Sequence, residues 1–186
     1  MGPNGAERMG ANDDLAALIR TVPDYPKPGI QFRDITTLLL DGAAFRLTID
    51  RMVAQVEGPV DSVAGIEARG FVFGAALADR LGCGLVLLRK SNKLPGAVLG
   101  INYALEYGHD RIEMHADAVP PGARVLVVDD LIATGGTALA AVQLLRTAGA
   151  VIDRAAFVID LPDLGGAARL RMAGTTVTTL IRFSGD

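Results

Sequence analysis

Residues 124–138 constrain the fold of this chain more than any other stretch: Arg-Val-Leu-Val-Val-Asp-Asp-Leu-Ile-Ala-Thr-Gly-Gly-Thr-Ala. Residues 125–128 are a short apolar run dense in β-branched side chains, the pattern of a strand buried on both faces. Asp129 and Asp130 end that strand in this reading. Ala133, Thr134, Gly135, Gly136 and Thr137 then form a small, hydroxyl-rich turn, and residues 138–148 read as a helix. Amides at a helix start lack intrahelical partners, and the helix dipole favours negative charge there. The glycines let backbone approach a ligand closely, and the two threonines add hydroxyl donors. The stretch therefore reads as a phosphate site.

It is not one of the common nucleotide loops. The lysine of G-x-x-x-x-G-K-[ST] is missing, and so is the spacing of G-x-G-x-x-G. The paired acids suit the vicinal hydroxyls of a ribose, or the water shell of a Mg²⁺, beside a monophosphate. An isolated Asp-Asp or Gly-Gly would be read as a plain strand-to-helix turn; the joined pattern favours the ligand.

At 186 residues the chain is long enough for one domain with a sizeable core, and half of its residues are hydrophobic. Its formal net charge of -3 gives no support to a nucleic-acid binder. Cys83 is the single cysteine, so no internal disulfide can form, and it reads as a small packed residue. No apolar run reaches membrane-spanning length, and residues 1–11, rich in Gly, Pro and Asn, read as a disordered extension with Met9 an alternative start. A cytoplasmic protein is expected. His109 and His115 stand apart from other ligating residues and read as solvated.

Along the chain, Asn12 or Asp13 is expected to cap a first helix with Leu15, Leu18, Ile19 and Val22 on one face. Pro23, Pro26 and Pro28 end it and open an extended segment. Asp41 opens a helix carrying Phe45, Ile49, Met52, Val53 and Val56 at helical spacing. Residues 62–66, 85–88, 151–159 and 175–181 read as strands, residues 71–81 and 164–172 as helices. Residues 91–100 read as a mobile loop, followed by a hairpin turning at Gly108-His109-Asp110. The alternation predicts an α/β fold, a mainly parallel sheet flanked by helices, with ligands beyond the C-terminal strand ends.

The stretch Val127-Val128-Asp129-Asp130-Leu131-Ile132-Ala133-Thr134-Gly135-Gly136-Thr137 resembles the phosphoribosyl-pyrophosphate (PRPP) signature of type I phosphoribosyltransferases. Further pieces resemble the adenine-specific members over residues 15–183. They are Pro23-Asp24-Tyr25-Pro26-Lys27-Pro28-Gly29, Phe32-Arg33-Asp34-Ile35, Gly65-Ile66-Glu67-Ala68-Arg69-Gly70-Phe71, Arg89-Lys90, Lys93-Leu94-Pro95-Gly96 and Leu105-Glu106-Tyr107-Gly108. Each piece is weak alone; their order and spacing in one chain are not.

The resemblance implies transfer of a phosphoribosyl group from PRPP to adenine, giving AMP and pyrophosphate with Mg²⁺, by a homodimer. It divides residues 12–186 into a hood at about 12–37, a flexible flap at about 91–115 and the sheet. The phosphate turn would hold the 5′-phosphate, and Asp129 and Asp130 the ribose, meeting Mg²⁺ only through water. Arg69 with the Ala68 and Gly70 backbone, and Arg89, Lys90 and Lys93, would face pyrophosphate, with Arg89 a candidate to reach the partner's site. Glu106 in the flap would take or stabilise the N9 proton. Gln31 and Arg33 would meet adenine by their backbone, and Phe71 would stack on it or belong to the helix core. Gln31 stands where an apolar residue is expected, which leaves base preference open. A transferase for 6-oxopurines and a non-catalytic PRPP sensor are the rivals; the hood, Glu106 and the lack of a nucleic-acid-binding appendage argue against them.

Overall fold

A computed structural model describes residues 11–104 and 108–185. Asp129 and Asp130 lie within a strand rather than at its end, and the rest of the fold is arranged about that strand. β7 (Arg124–Ile132) is flanked by β3 (Ser62–Ile66) on one side and β8 (Val151–Asp160) on the other, both parallel to it. Pairing to β8 continues through Leu131 with Ile159 and Ile132 with Asp160, so the ladder runs past both acids. That partner lies outside the local sequence, which is why the run appears to stop at Val128.

Among the described residues the sheet has seven strands in the order β5-β6-β4-β3-β7-β8-β9, with β4 at Gly84–Lys90, β5 at Val98–Ala104, β6 at His109–His115 and β9 at Thr176–Arg182. From β3 the chain runs outward to β4, then returns to β7 on the other side. The switch of direction between β3 and β7 opens a crevice at their carboxyl ends, where such sheets bind ligands.

Side chains of β7 alternate between two cores. Val125 and Val127 join Leu88, Leu144 and Phe157 on the face covered by α5 (Gly136–Thr147). Leu126 and Val128 join Ile49, Met52, Phe73 and Leu77 beneath α3 (Gly42–Ala54) and α4 (Gly70–Leu81). Burial on both faces is the reason for the unbroken apolar run. The α3 start is capped as expected, the Asp41 carboxylate accepting from the Ala43 and Ala44 amides at 2.9 and 3.0 Å. The small residues of α4 let it sit against β3: a Cβ on Gly74 would lie 3.2 Å from the Gly65 Cα.

The N-terminal helix is shorter than expected. α1 is Asp13–Ala16, and Val22 belongs to β1 (Arg20–Pro23), which pairs antiparallel with β2 (Gln31–Asp34). The prolines turn the chain back so that this two-stranded ribbon forms, and Tyr25 meets Phe32 edge-on at 5.1 Å between centroids. A short α2 (Thr36–Leu40) follows, unforeseen in the sequence. The loop expected over residues 91–100 is also shorter, because β5 (Val98–Ala104) begins at Val98 and pairs with β6 (His109–His115). The C-terminal helix is split into a 3-10 turn, Pro162–Leu164, and α6 (Gly166–Met172), with Gly165 in the left-handed region between them. Residues 1–10, most of the expected extension, lie outside the described residues.

Candidate active site

The crevice holds two neighbouring cavities. The first, of about 310 Å³, is bordered by Ala133, Thr134, Gly135, Gly136 and Thr137, by Asp129 and Glu67, and by Lys90, Tyr103 and Asp110 from the β4 end and the hairpin. The second, of about 380 Å³, lies under the N-terminal ribbon between Tyr25, Phe32, Arg33, Ile35 and Arg69. Arg69 borders the second cavity and pairs with Asp130, and its charge also acts on Asp129 at the first.

The turn is built by backbone contact. Gly135 takes φ 81°, the left-handed conformation that glycine adopts without penalty, and α5 begins at the next residue. Its shape is braced from behind by α6. The Gly166 amide donates to the Ala133 carbonyl at 2.9 Å, and Arg169 Nη1 donates to the Thr134 carbonyl at 3.1 Å. A Cβ on Gly166 would fall 2.2 Å from the Ala133 oxygen and 2.6 Å from the Gly135 nitrogen. The amides and hydroxyls at the start of α5 are thus held around a concave surface suited to a phosphate.

The two acids have different surroundings. Asp130 is buried and pairs with the Arg69 guanidinium. Asp129 accepts from the Asp130 amide at 2.9 Å and touches the start of α4, where a Cβ on Gly70 would sit 2.8 Å from its Oδ1. Burial first, and the neighbouring Asp130 charge second, push the Asp129 acid well above the ordinary carboxylate range. The α4 dipole offsets part of that cost.

Glu67 is a structural clamp. Its carboxylate accepts from the Lys90 amide at 2.9 Å and from Arg89 Nε and Nη2 at 3.3 Å each. Burial opposes ionisation, but these donors and the Lys93 charge hold its acid below the usual range. Arg89 is therefore engaged with Glu67 and with the Lys93 carbonyl at 3.1 Å, and it does not border the first cavity. Lys93 is exposed and borders neither cavity. Gln31, Phe71, Ala68 and Gly70 border neither as well, and Phe71 belongs to neither apolar core. Arg33 does border the second cavity, its guanidinium 4.5 Å from the Phe183 ring centre. Glu106 lies outside the described residues.

The profile of the phosphoribosyl transferase domain family matches residues 37–169, which contain the first cavity's whole lining. The adenine phosphoribosyltransferase of Azorhizobium caulinodans is 58% identical over 178 residues, covering 95% of this chain and 99% of that one. The chain belongs to the adenine phosphoribosyltransferase family. The crystal structure of the Thermoanaerobacter pseudethanolicus enzyme superposes with a TM-score of 0.87 at 45% identity, over 92% of this chain and 99% of the other. That of the Giardia lamblia enzyme complexed with 9-deazaadenine gives 0.87 at 36% identity, over 92% and 97%.

Tyr103 and Asp110, which border the first cavity, and Gly166 and Arg169, which brace its turn, are residues that sequence reasoning did not single out. Tyr103 and Asp110 face each other across the hairpin, a pairing readable only once its register is known. Gly166 reads as an ordinary helix residue until α6 is seen against the turn.

Gly166→Ala is expected to displace the phosphate turn and raise KM for PRPP at least about tenfold. Its φ is ordinary, so the effect is steric alone. Initial rates at varied PRPP check this, and an unchanged KM counts against the brace. Asp129→Asn is expected to abolish turnover yet raise the melting temperature by a few degrees at neutral pH. An acid whose folded pKa lies above its unfolded value of about 3.8 costs stability as pH rises past that value, and Asn removes the cost. The gain should be absent well below pH 3.8 and grow as the pH rises above it, as thermal unfolding across pH would show.

Proposed function

We propose that the enzyme transfers the 5-phosphoribosyl group of PRPP to N9 of adenine in the presence of Mg²⁺, releasing AMP and pyrophosphate as a step of purine salvage. The observation that carries this reading is the anion-binding turn beside the Asp129 carboxylate, with a second cavity under the N-terminal ribbon. The second cavity is lined by Tyr25, Phe32, Val22 and Ile35 beside Arg33, Asp34 and Thr36, and Arg69 on its border interacts electrostatically with Asp129 of the first. A sugar bridging them would place its 5′-phosphate on residues 133–137 and its hydroxyls toward Asp129. Its anomeric carbon would then face the second cavity.

Each group has a chemical task. The turn binds the 5′-phosphate through neutral donors that need no counter-ion reorganisation. Lys90 and Arg69 meet the charge that grows on pyrophosphate as the C1′–O bond breaks, so their attraction strengthens in the transition state. Adenine sits against Phe32 and Tyr25, with the backbone of residues 31–33 at its edge; Phe71, away from the cavity, is the weaker candidate for stacking. Glu106 takes the N9 proton as the base attacks, and the covering hairpin excludes water from an oxocarbenium-like sugar.

Among the described residues no cluster of three metal-ligating side chains occurs, and Asp130 is already paired with Arg69. In this reading Asp129 or Asp130 would meet, through water, a Mg²⁺ carried by PRPP. When bound, it offsets charge on the leaving group. A homodimer fits an apolar strip on β4 and α4: Leu85 and Leu87 are 38% and 40% exposed and Val72 is 40% exposed. In a dimer Arg89 could be released from Glu67 toward the second subunit's site. A cytoplasmic setting belongs to the same reading, supported by a lone thiol at Cys83.

Purified protein with Mg²⁺ and PRPP should convert adenine to AMP, with hypoxanthine and guanine far poorer; pyrophosphate release with each base in parallel decides it. Equal turnover of a 6-oxopurine would overturn the adenine assignment, and PRPP binding without any turnover would favour a sensor. Sedimentation of the same sample reads the dimer. Glu106→Gln is expected to lower kcat by about 10²–10⁴ with little change in PRPP affinity, the range of a lost general base. Parent-like kinetics would remove Glu106 from the mechanism.

A further inference from the structure

One carboxylate on the first cavity's wall has no task in the reaction above. Asp110 borders the cavity, in a site meant for anions, where a bare negative charge would repel both PRPP and pyrophosphate. It is not bare. Its Oδ2 lies 3.4 Å from Lys90 Nζ and accepts the Tyr103 hydroxyl at 3.3 Å. The Tyr103 oxygen in turn accepts from Thr137 Oγ1 of the phosphate turn, also at 3.3 Å. The Asp110 Oδ1 accepts from the Arg111 amide at 2.8 Å. Tyr103 and Asp110 are directly opposed in the β5–β6 ladder, so the hairpin itself fixes their approach.

The chain of contacts runs Lys90, Asp110, Tyr103, Thr137. It joins the end of β4, the base of the hairpin and the start of α5. Burial works against ionisation of Asp110, but the Arg111 amide and the Lys90 charge outweigh it and hold the acid below its ordinary value. The Lys90 side chain is 62% exposed and its contact is long, so the pair is weak and exchangeable. A ligand with several negative charges can draw Lys90 away.

We propose that Asp110 is a positioning residue that shares Lys90 with pyrophosphate: it holds the ammonium at the cavity edge in the empty site and takes it back as pyrophosphate leaves. Tyr103 keeps Asp110 in that place by tying it to Thr137. Asp110 thereby weakens the hold on pyrophosphate and favours its release. The inference rests on the PRPP reading, through the assignment of Lys90 to pyrophosphate.

The test is product inhibition by pyrophosphate at fixed Mg²⁺. Asp110→Asn keeps the shape and the acceptor for Tyr103 but leaves Lys90 without a competitor. Its inhibition constant should fall by about threefold to fivefold, the range an exposed ion pair allows, with KM for adenine unchanged. A damaged site would bind pyrophosphate more weakly, and so would loss of a carboxylate acting on the metal's water shell. An unchanged or higher inhibition constant therefore overturns the inference. In a Lys90→Gln background only direct repulsion by Asp110 remains, so the effect of Asp110→Asn should be clearly smaller than in the parent; an effect as large or larger means that Asp110 acts on the ligand directly and the sharing of Lys90 is wrong. Tyr103→Phe retains both charges and should lower the constant by a smaller factor; a rise overturns the role given to Tyr103. Parent protein that makes no AMP fails the functional reading and this inference with it. Parent protein that does, with Asp110→Asn no more sensitive to pyrophosphate, fails the inference alone.

Discussion

A strand buried on both faces has to carry two adjacent carboxylates into the middle of the sheet, and much of the surrounding structure answers that demand. Asp129 and Asp130 point to opposite sides of β7, as neighbouring strand residues must. Each is met by a part of one segment, the turn that ends β3 and opens α4. Arg69 neutralises Asp130, and the α4 start at Gly70 abuts Asp129. One turn can serve both because β3 and β7 are sheet neighbours at the switch in strand order. Asp129 still remains costly to ionise. Its charge is affordable only where a ligand's hydroxyls or hydrated metal can complete the surroundings, which is a property of a binding site and not of a core.

The phosphate turn obeys a different constraint, backbone proximity. Gly135 and Gly166 approach so closely that neither can carry a side chain, and the Gly166 amide closes the contact on the Ala133 carbonyl. The donors of the turn are thus fixed before ligand arrives. Pre-set donors need no reorganisation when charge develops near them. A cluster of lysines would suit a phosphate as well, but would add flexible side chains whose ordering opposes binding.

These two constraints also explain what could be read from the sequence. The alternation of elements, the Asp41 cap and the turn at residues 133–137 are local signals, and the structure carries them as expected. Misread features depend on distant partners. β1 replaces the end of a helix because residues 31–34 lie alongside it, and β7 outlasts its apolar run because β8 does. The site divides in the same way. The turn, Asp129 and Lys90 gather at one cavity, and Arg69 and Arg33 border the other. Arg89 is legible as a cation, but that Glu67 already holds it is not. Gln31 and Phe71 lie beside matched motifs yet border neither cavity, since a motif gives residue types and not side-chain directions.

The hairpin shows how the fixed and the exchangeable parts are separated. It joins the main sheet through pairs at the end of β4, Arg89 with Glu113 and Lys90 with Ile112. The same residue, Lys90, therefore anchors the ladder with its backbone and faces the cavity with its side chain. Beyond that anchor, side-chain contacts of 3.3–3.4 Å tie the hairpin to the site, through Asp110 to Lys90 and through Tyr103 to Thr137. Such contacts are each worth about 1 kcal/mol or less, so a ligand's phosphates can replace them one at a time. The braced turn in front of Gly166 cannot be exchanged in this way, since its closest contacts are backbone against backbone. A sugar phosphate consequently meets a rigid cup at one end and replaceable partners at the other. On the proposed reading, that asymmetry would let the enzyme retain the 5′-phosphate through the reaction while letting pyrophosphate go.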